Sequence, residues 1–317
     1  MTRPLISPLV FEPLFMERVW GGRRLESLFG KRLPEGKMIG ESWEMVDRPE
    51  AQSVVRQGPW SGQTLHELWL HHRAEIFGHG LPDAPRFPIL AKLLDAREKL
   101  SLQVHPPAAV ADSLGGQCKS ELWYFAAADE GAEIFAGLRS GVERSQFEQA
   151  IKDDKVTELV PCFRVKTGDS FFVPSGRLHA IGGGNLIVEI QENSDTTYRV
   201  YDWARSDAGG KPRSLHREQA MRSIDFSDQE PAFVRPEGEL LLRCPQFTVE
   251  KWEMQGPRPA NDGPFFALFF CLSGAARIAG TKIAAGDFFL VPAVGHETPI
   301  LPCAKETTLL RVTQNPA

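Results

Sequence analysis

The sequence predicts a mainly β protein made of two related β-barrels with a few short inserted helices. Three observations lead there. Gly (28) and Pro (24) punctuate the whole chain. Between them lie short alternating or apolar runs: Ser53–Arg56, Glu133–Leu138, Ser170–Pro174, Leu186–Gln191, Leu240–Cys244, Ala267–Leu272 and Phe288–Pro292. Many short strands with frequent turn signals argue for a sandwich or barrel. The third observation is an internal echo: Gly168-Asp169-Ser170-Phe171-Phe172-Val173-Pro174 returns as Gly286-Asp287-Phe288-Phe289-Leu290-Val291-Pro292.

Three segments depart from the strand pattern. Thr64 to Phe77 has Leu65, Leu68, Trp69 and Ile76 near helical spacing. Ser145 to Leu159 places Phe147, Ala150 and Ile151 on one side. Leu215 to Ile224 carries Leu215, Gln219 and Arg222, with Ser214 as its N-cap. The Pro-rich seam around Pro231–Gly238 divides the chain into a catalytic domain, 1–235, and a C-terminal barrel, 236–317. After the second Gly-Asp copy comes His296, with no matching upstream His and Glu. The second barrel is therefore read as having lost its metal set.

A chain of 317 residues is long enough for a large core and two domains. A net charge of −5 offers no global attraction to nucleic acid or an anionic membrane, though a local Arg/Lys pocket can still take a small anion. The five cysteines, Cys118, Cys162, Cys244, Cys271 and Cys303, form no CxxC pair, which fits a reducing cytoplasm. Met1 to Pro8 has no long apolar core behind its charge, so no signal peptide is expected. The apolar run Phe265–Leu272 is far short of the roughly 20 residues a bilayer needs and reads as a buried strand.

The chemistry concentrates around two histidines. Gln103 and His105 are two apart, so on a strand they share a face with Ser101, while Leu102 and Val104 face away. His179 follows the turn after Val173-Pro174, and Glu121 opens an apolar strand. Two imidazoles and a carboxylate leave coordination positions open, as a catalytic zinc site requires, with the Gln103 amide oxygen as a weaker fourth ligand. The same set binds Fe(II) in oxygenases, so spacing alone leaves the metal unnamed. His66, His71, His72, His79 and His216 lie on helical or loop stretches without a partner and read as surface or packed residues, as does His296.

Leu186 to Tyr201 reads as a hairpin around the turn signal Asn193-Ser194-Asp195. Glu189 and Gln191 share one face of the outgoing strand; Arg199 and Tyr201 share a face of the return. Inward polar groups are costly in a barrel unless they bind something. A buried Glu189–Arg199 salt bridge is the plain structural reading, and it is compatible with a functional one, since a catalytic arginine usually needs a supporting carboxylate.

The segments Val19-Trp20-Gly21-Gly22, Gly40-Glu41-Ser42-Trp43-Glu44, Lys92-Leu93-Leu94-Asp95-Ala96, Leu100–Pro106, Lys119–Tyr124, Val173–Ile181 and Ser194–Asp202 resemble type I phosphomannose isomerase, most of all its short bacterial form. The C-terminal third matches weakly, the helical domain of longer members is absent or reduced, and Cys118 beside Lys119 is a departure. The resemblance implies a double cupin fold and zinc-dependent interconversion of mannose 6-phosphate and fructose 6-phosphate, with one Zn²⁺ per chain. It maps the ligands to His105, Glu121 and His179, with Gln103 in the fourth position. It maps the family's active-site arginine to Arg199 and its lysine to Lys119.

Such an isomerisation passes a proton between C2 and C1 through a cis-enediol. Lys119, close to a divalent cation, is expected to have its ammonium form disfavoured and to carry protons; Glu189 is the other candidate base. With no Gly-rich loop present, Lys92 and Ser101 are candidates for holding the phosphate. The expected partner is a small phosphorylated hexose, with no nucleic acid or membrane, on a monomer or weak homo-oligomer. The competing readings are a non-haem iron cupin oxygenase and a non-catalytic sugar-phosphate-binding cupin.

Overall fold

The computed structural model describes residues 7–205, 210–261, 263–295 and 298–315. The protein is mainly β, a double cupin with short inserted helices, as the sequence predicts. His296 lies outside the described residues, as do Met1 to Ile6.

The first barrel pairs a six-stranded with a five-stranded sheet. The larger runs Leu14–Gly22, Ile39–Met45, Ile89–Ala96, Asn185–Glu192, Glu121–Ala128, Ser170–Val173. The smaller runs Tyr198–Tyr201, Leu102–Val104, His179–Ile181, Glu133–Ala136, Cys162–Arg164. The second barrel repeats the plan. Its five-stranded sheet is Leu240–Arg243, Phe247–Glu253, Thr308–Gln314, Ala267–Ser273, Phe288–Val291. A four-stranded sheet opposes it: Arg258–Pro259, Pro299–Pro302, Ala275–Ile278, Thr281–Ala284.

Period two sorts the side chains. On Asn185–Glu192, Leu186, Val188 and Ile190 point out of the first barrel into a core shared with Leu268, Phe270, Leu290 and Val312 of the second. Ile187, Glu189 and Gln191 point the other way, into the barrel. The two large sheets thus pack face to face, and only the interior-facing set is free to build a site. Leu9 crosses to pair with Leu290, which brings Val10 into the core of the second barrel.

The Gly-Asp echo is structural. Gly168 and Gly286 have φ of +93° and +92°, a region that favours glycine. Their N–H groups donate to the carbonyls of Phe125 and Cys271, each at 2.8 Å. Asp169 and Asp287 accept from the backbone N–H three residues back, each at 2.8 Å.

Four local expectations need correction. Ser53–Arg56 is held by isolated bridges at Val54 and Val55, not by a continuous strand. Thr64 to Phe77 splits into helices Leu65–His71 and Arg73–Ile76, because His72 leaves helical geometry at φ −127°. Thr64 starts the first with a capping box to Glu67. The helix Arg217–Ser223 has His216 at its N-cap, and the carbonyl of Ser214 accepts from Arg199 instead. Leu186 to Tyr201 is not a hairpin: Asn185–Glu192 lies in the six-stranded sheet, and Tyr198–Tyr201 crosses to pair with Leu102–Val104 in the opposite one. The second helical segment, Ser145 to Leu159, forms as Arg144–Lys152 followed by a 3-10 turn, Val156–Leu159.

Candidate active site and metal centre

Three elements bring the metal-type ligands together. His105 follows the strand Leu102–Val104; His179 opens its own strand directly opposite Gln103; Glu121 opens Glu121–Ala128 on the facing sheet. All three side chains are buried, and their ligand atoms lie within 4.8 Å of one another. Nε2 of His105 is 3.6 Å from Oε2 of Glu121, and Nε2 of His179 is 3.6 Å from Oε1. Among the described residues this is the one such cluster.

The imidazoles are prepared as ligands. Nδ1–H of His105 donates to the Thr196 carbonyl at 2.7 Å, and that of His179 to the Arg177 carbonyl at 2.9 Å. Each Nε2 therefore presents a lone pair inward, the arrangement of a metal-bound histidine with its outer hydrogen bond. Burial, then the neighbouring Lys119 charge, lowers the His105 pKa; burial, then His105, lowers that of His179 to about 3. Both rings are neutral near pH 7. Burial opposes the charge on Glu121, but the Lys119 ammonium outweighs it and holds the carboxylate well below its usual range. Nε2 of His105 is buried with no hydrogen-bond partner, an unfavourable state for a polar atom that a cation relieves. Two neutral imidazoles and one carboxylate therefore fit a divalent metal. Gln103 sits at the rim with Oε1 accepting from Ser101 at 3.1 Å and Nε2 at 3.3 Å from His179, so its amide must turn over to offer oxygen.

A cavity of about 310 Å³ opens beside the cluster. Lys92, Ser101, Gln103, Lys119, Glu121, Glu189 and Arg199 all line it, so every predicted catalytic and substrate residue reaches one space. Lys119 sits 2.5 Å from Glu121 and 3.9 Å from Glu189. Burial works against its charge, but those two carboxylates win and push its pKa up. Glu189 is the group that moves toward neutrality. Burial and the nearby Glu121 charge raise it to about 7, against the pull of Lys119 and Lys92. Trp123 Nε1 donates to it at 3.1 Å.

The expected Glu189–Arg199 salt bridge does not form. The two residues belong to opposite sheets; Glu189 pairs with Lys92 at 3.8 Å, and Arg199 donates to the Ser214 carbonyl at 2.8 Å. Lys92 is itself shared among Glu41, Glu189 and Asp195 and lies 4.7 Å from the Trp43 ring. The cavity wall also includes Arg18, Trp20, Glu41, Asp195 and Arg213. Trp20 and Glu41 lie in segments whose resemblance was already visible; Arg213 carried no such signal. The Cys118 thiol is 3.4 Å from Glu192 and is pushed up to about 11 by burial and that carboxylate, so it packs as an inert group. His66 pairs with Asp47, and Nδ1 of His216 accepts from the Arg199 N–H, both structural uses.

Residues 9–136 match the family description "Phosphomannose isomerase type I, catalytic domain". The chain is 38% identical over 302 residues to the probable mannose-6-phosphate isomerase GmuF of Bacillus subtilis, covering 91% of this chain and 94% of the relative. It is 38% identical over 297 residues to the mannose-6-phosphate isomerase of Streptococcus mutans, covering 89% and 92%. The crystal structure of the mannose 6-phosphate isomerase from Bacillus subtilis superposes with a TM-score of 0.86 at 32% identity, covering 97% of this chain and all of that one. The chain belongs to the type I mannose-6-phosphate isomerase family and is an isomerase.

Proposed function

We propose that this isomerase interconverts mannose 6-phosphate and fructose 6-phosphate, an aldose–ketose exchange through a cis-enediol, with one Zn²⁺ per chain. His105, Glu121 and His179 would hold the ion, with Gln103 in the fourth position once its amide turns. The observation that carries the reading is the pair of neutral imidazoles clustered within 4.8 Å of Glu121, a carboxylate that lines the same cavity as Glu189. When bound, the ion supplies Lewis-acid stabilisation of negative charge developing on the sugar oxygens.

Glu189 is the base. With a pKa of about 7 it has both forms available near neutral pH, which suits taking the C2 proton and returning it to C1. Trp123 holds one of its oxygens, leaving the other toward the cavity. Lys119, kept charged by its carboxylate neighbours, donates to the oxygen that gains charge. Arg199, on the opposite wall, is a fixed cation that positions the open-chain sugar. Ser101 and Lys92 line the same space and complete the polar wall. The C-terminal barrel serves as a scaffold behind the large sheet, and the five unpaired cysteines fit a reducing, cytoplasmic setting.

Purified protein should turn over mannose 6-phosphate in a coupled assay, lose activity to a chelator and regain it with Zn²⁺. Full activity in His179→Ala would remove the assigned centre. Metal analysis of protein purified without additions identifies the ion; bound iron with oxygen uptake would replace this reading by an oxygenase.

A further inference from the structure

We propose that Arg213, held by Asp202, is the anchor for the substrate's phosphate group; this rests on the hexose-phosphate reading above. Charge distribution across the cavity is the first support. Arg18, Lys92 and Lys119 each face carboxylates on the six-stranded side. On the other side Arg205 and Arg213 share the single carboxylate of Asp202. Arg199 has no carboxylate ion pair among the described residues, and Arg213, Arg205 and Asp202 are its electrostatic neighbours. Among the described residues, three guanidiniums around one carboxylate leave two positive charges in excess, and a phosphate monoester carries about −1.5 to −2 near pH 7.

The second support is the orientation of the fork. Asp202 takes the Nε edge of Arg213: Nε donates to Oδ2 at 2.6 Å, and Nη2 donates to Oδ1. Nη1 has no recorded partner among the described residues, and the side chain lines the cavity. Asp202 is only 6% exposed and also accepts from Arg205 at 2.7 Å, so it is a fixed brace for the guanidinium. A braced arginine with one edge open is suited to a phosphate oxygen pair. The third support is Arg199, whose buried Nε has no hydrogen-bond partner and stands as a second donor on the same wall. Lys92, by contrast, is already shared among three carboxylates and has little charge to offer.

The test is steady-state kinetics on metal-loaded wild type, Arg213→Ala and Arg213→Lys, with inorganic phosphate as competitive inhibitor. Arg213→Ala should raise KM for mannose 6-phosphate roughly 10- to 100-fold, the range for a lost charged hydrogen bond. It should weaken phosphate inhibition by a similar factor while kcat changes far less. Arg213→Lys keeps the charge and loses the fork, so it should fall between. Unchanged KM and unchanged phosphate inhibition in either variant, with metal content and melting temperature at wild-type values, would overturn the assignment. If Arg213→Ala melts early, Arg213→Lys decides by the same two readouts. Wild type that binds phosphate but does not turn over mannose 6-phosphate would sink the substrate reading instead, so the two failures are separable.

Discussion

The two barrels share a frame and differ in what fills it. Strand register makes the comparison residue by residue. Phe171 pairs with Trp123 and Val173 with Glu121; in the second barrel Phe289 pairs with Phe269 and Val291 with Ala267. The proposed ligand Glu121 thus corresponds to Ala267, and Trp123 to Phe269. Glu189 lies opposite Lys92 and Trp123, as Arg311 lies opposite Glu250 and Phe269. The ion pair survives with its charges exchanged, at 2.6 Å between buried Arg311 and half-buried Glu250. Where the first barrel keeps a polar cavity, the second packs Trp252 beneath Arg258 at 3.5 Å and stacks Phe269 on Phe289 at 5.1 Å. A few inward positions therefore separate a site from a core. Packing those positions with apolar groups stabilises the barrel, whereas donors there cost stability unless a ligand satisfies them.

Making the first barrel resemble the second should break its function in graded ways. The largest effect belongs to the proposed centre. Glu121→Ala, which copies Ala267, should lose bound metal and more than roughly 100-fold of activity, beyond what loss of a ligand's outer hydrogen bond costs. Glu189→Gln should keep the metal, measured by elemental analysis, and still lose about 10²–10⁴ in kcat. Equal metal loss in both would erase the distinction between ligand and base.

The shared turn gives an intermediate effect. Gly168→Ala should cost about 1–2 kcal/mol by denaturant unfolding, because φ is +93° but a Cβ there meets nothing within 4 Å. At Gly286 a Cβ would lie 2.5 Å from Cβ of Phe29, on the helix Arg24–Phe29, so Gly286→Ala should cost about 1–3 kcal/mol more. Equal losses would mean the turns are not differently packed.

The smallest effect is in the pH profile. Activity should fall as pH drops through about 7, where Glu189 takes up a proton and ceases to be a base. Trp123→Phe, which copies Phe269, removes the N–H that favours the carboxylate. The acid limb should then move to higher pH by less than about one unit; a shift to lower pH would argue against Glu189 as the titrating base.

Much of this was legible in the chain. Glycine at a positive-φ turn, followed by an alternating strand, writes the same local geometry at Gly168 and Gly286 wherever it occurs. His105 was readable from the face it shares with Gln103, Glu121 from opening an apolar strand, and His179 from following the turn after Val173-Pro174. Arg213 was not, because its meaning comes from Asp202, eleven residues earlier in a crossing segment, and from a cavity wall built by distant strands. Cys118 looked anomalous beside Lys119 until Glu192 was seen to cover it.

By itself the sequence determined the repeated β architecture, the Gly-Asp turns and the ligand-type residues, since periodicity and backbone conformation are settled within a few neighbouring positions. Tertiary structure decided the partners. Arg199 crosses to the opposite sheet and leaves Glu189 to Lys92, two carboxylates raise the Lys119 pKa, and burial beside Glu121 drives Glu189 toward neutrality. The physical reason is that charge pairing and desolvation depend on distances between remote strands, which no local pattern specifies.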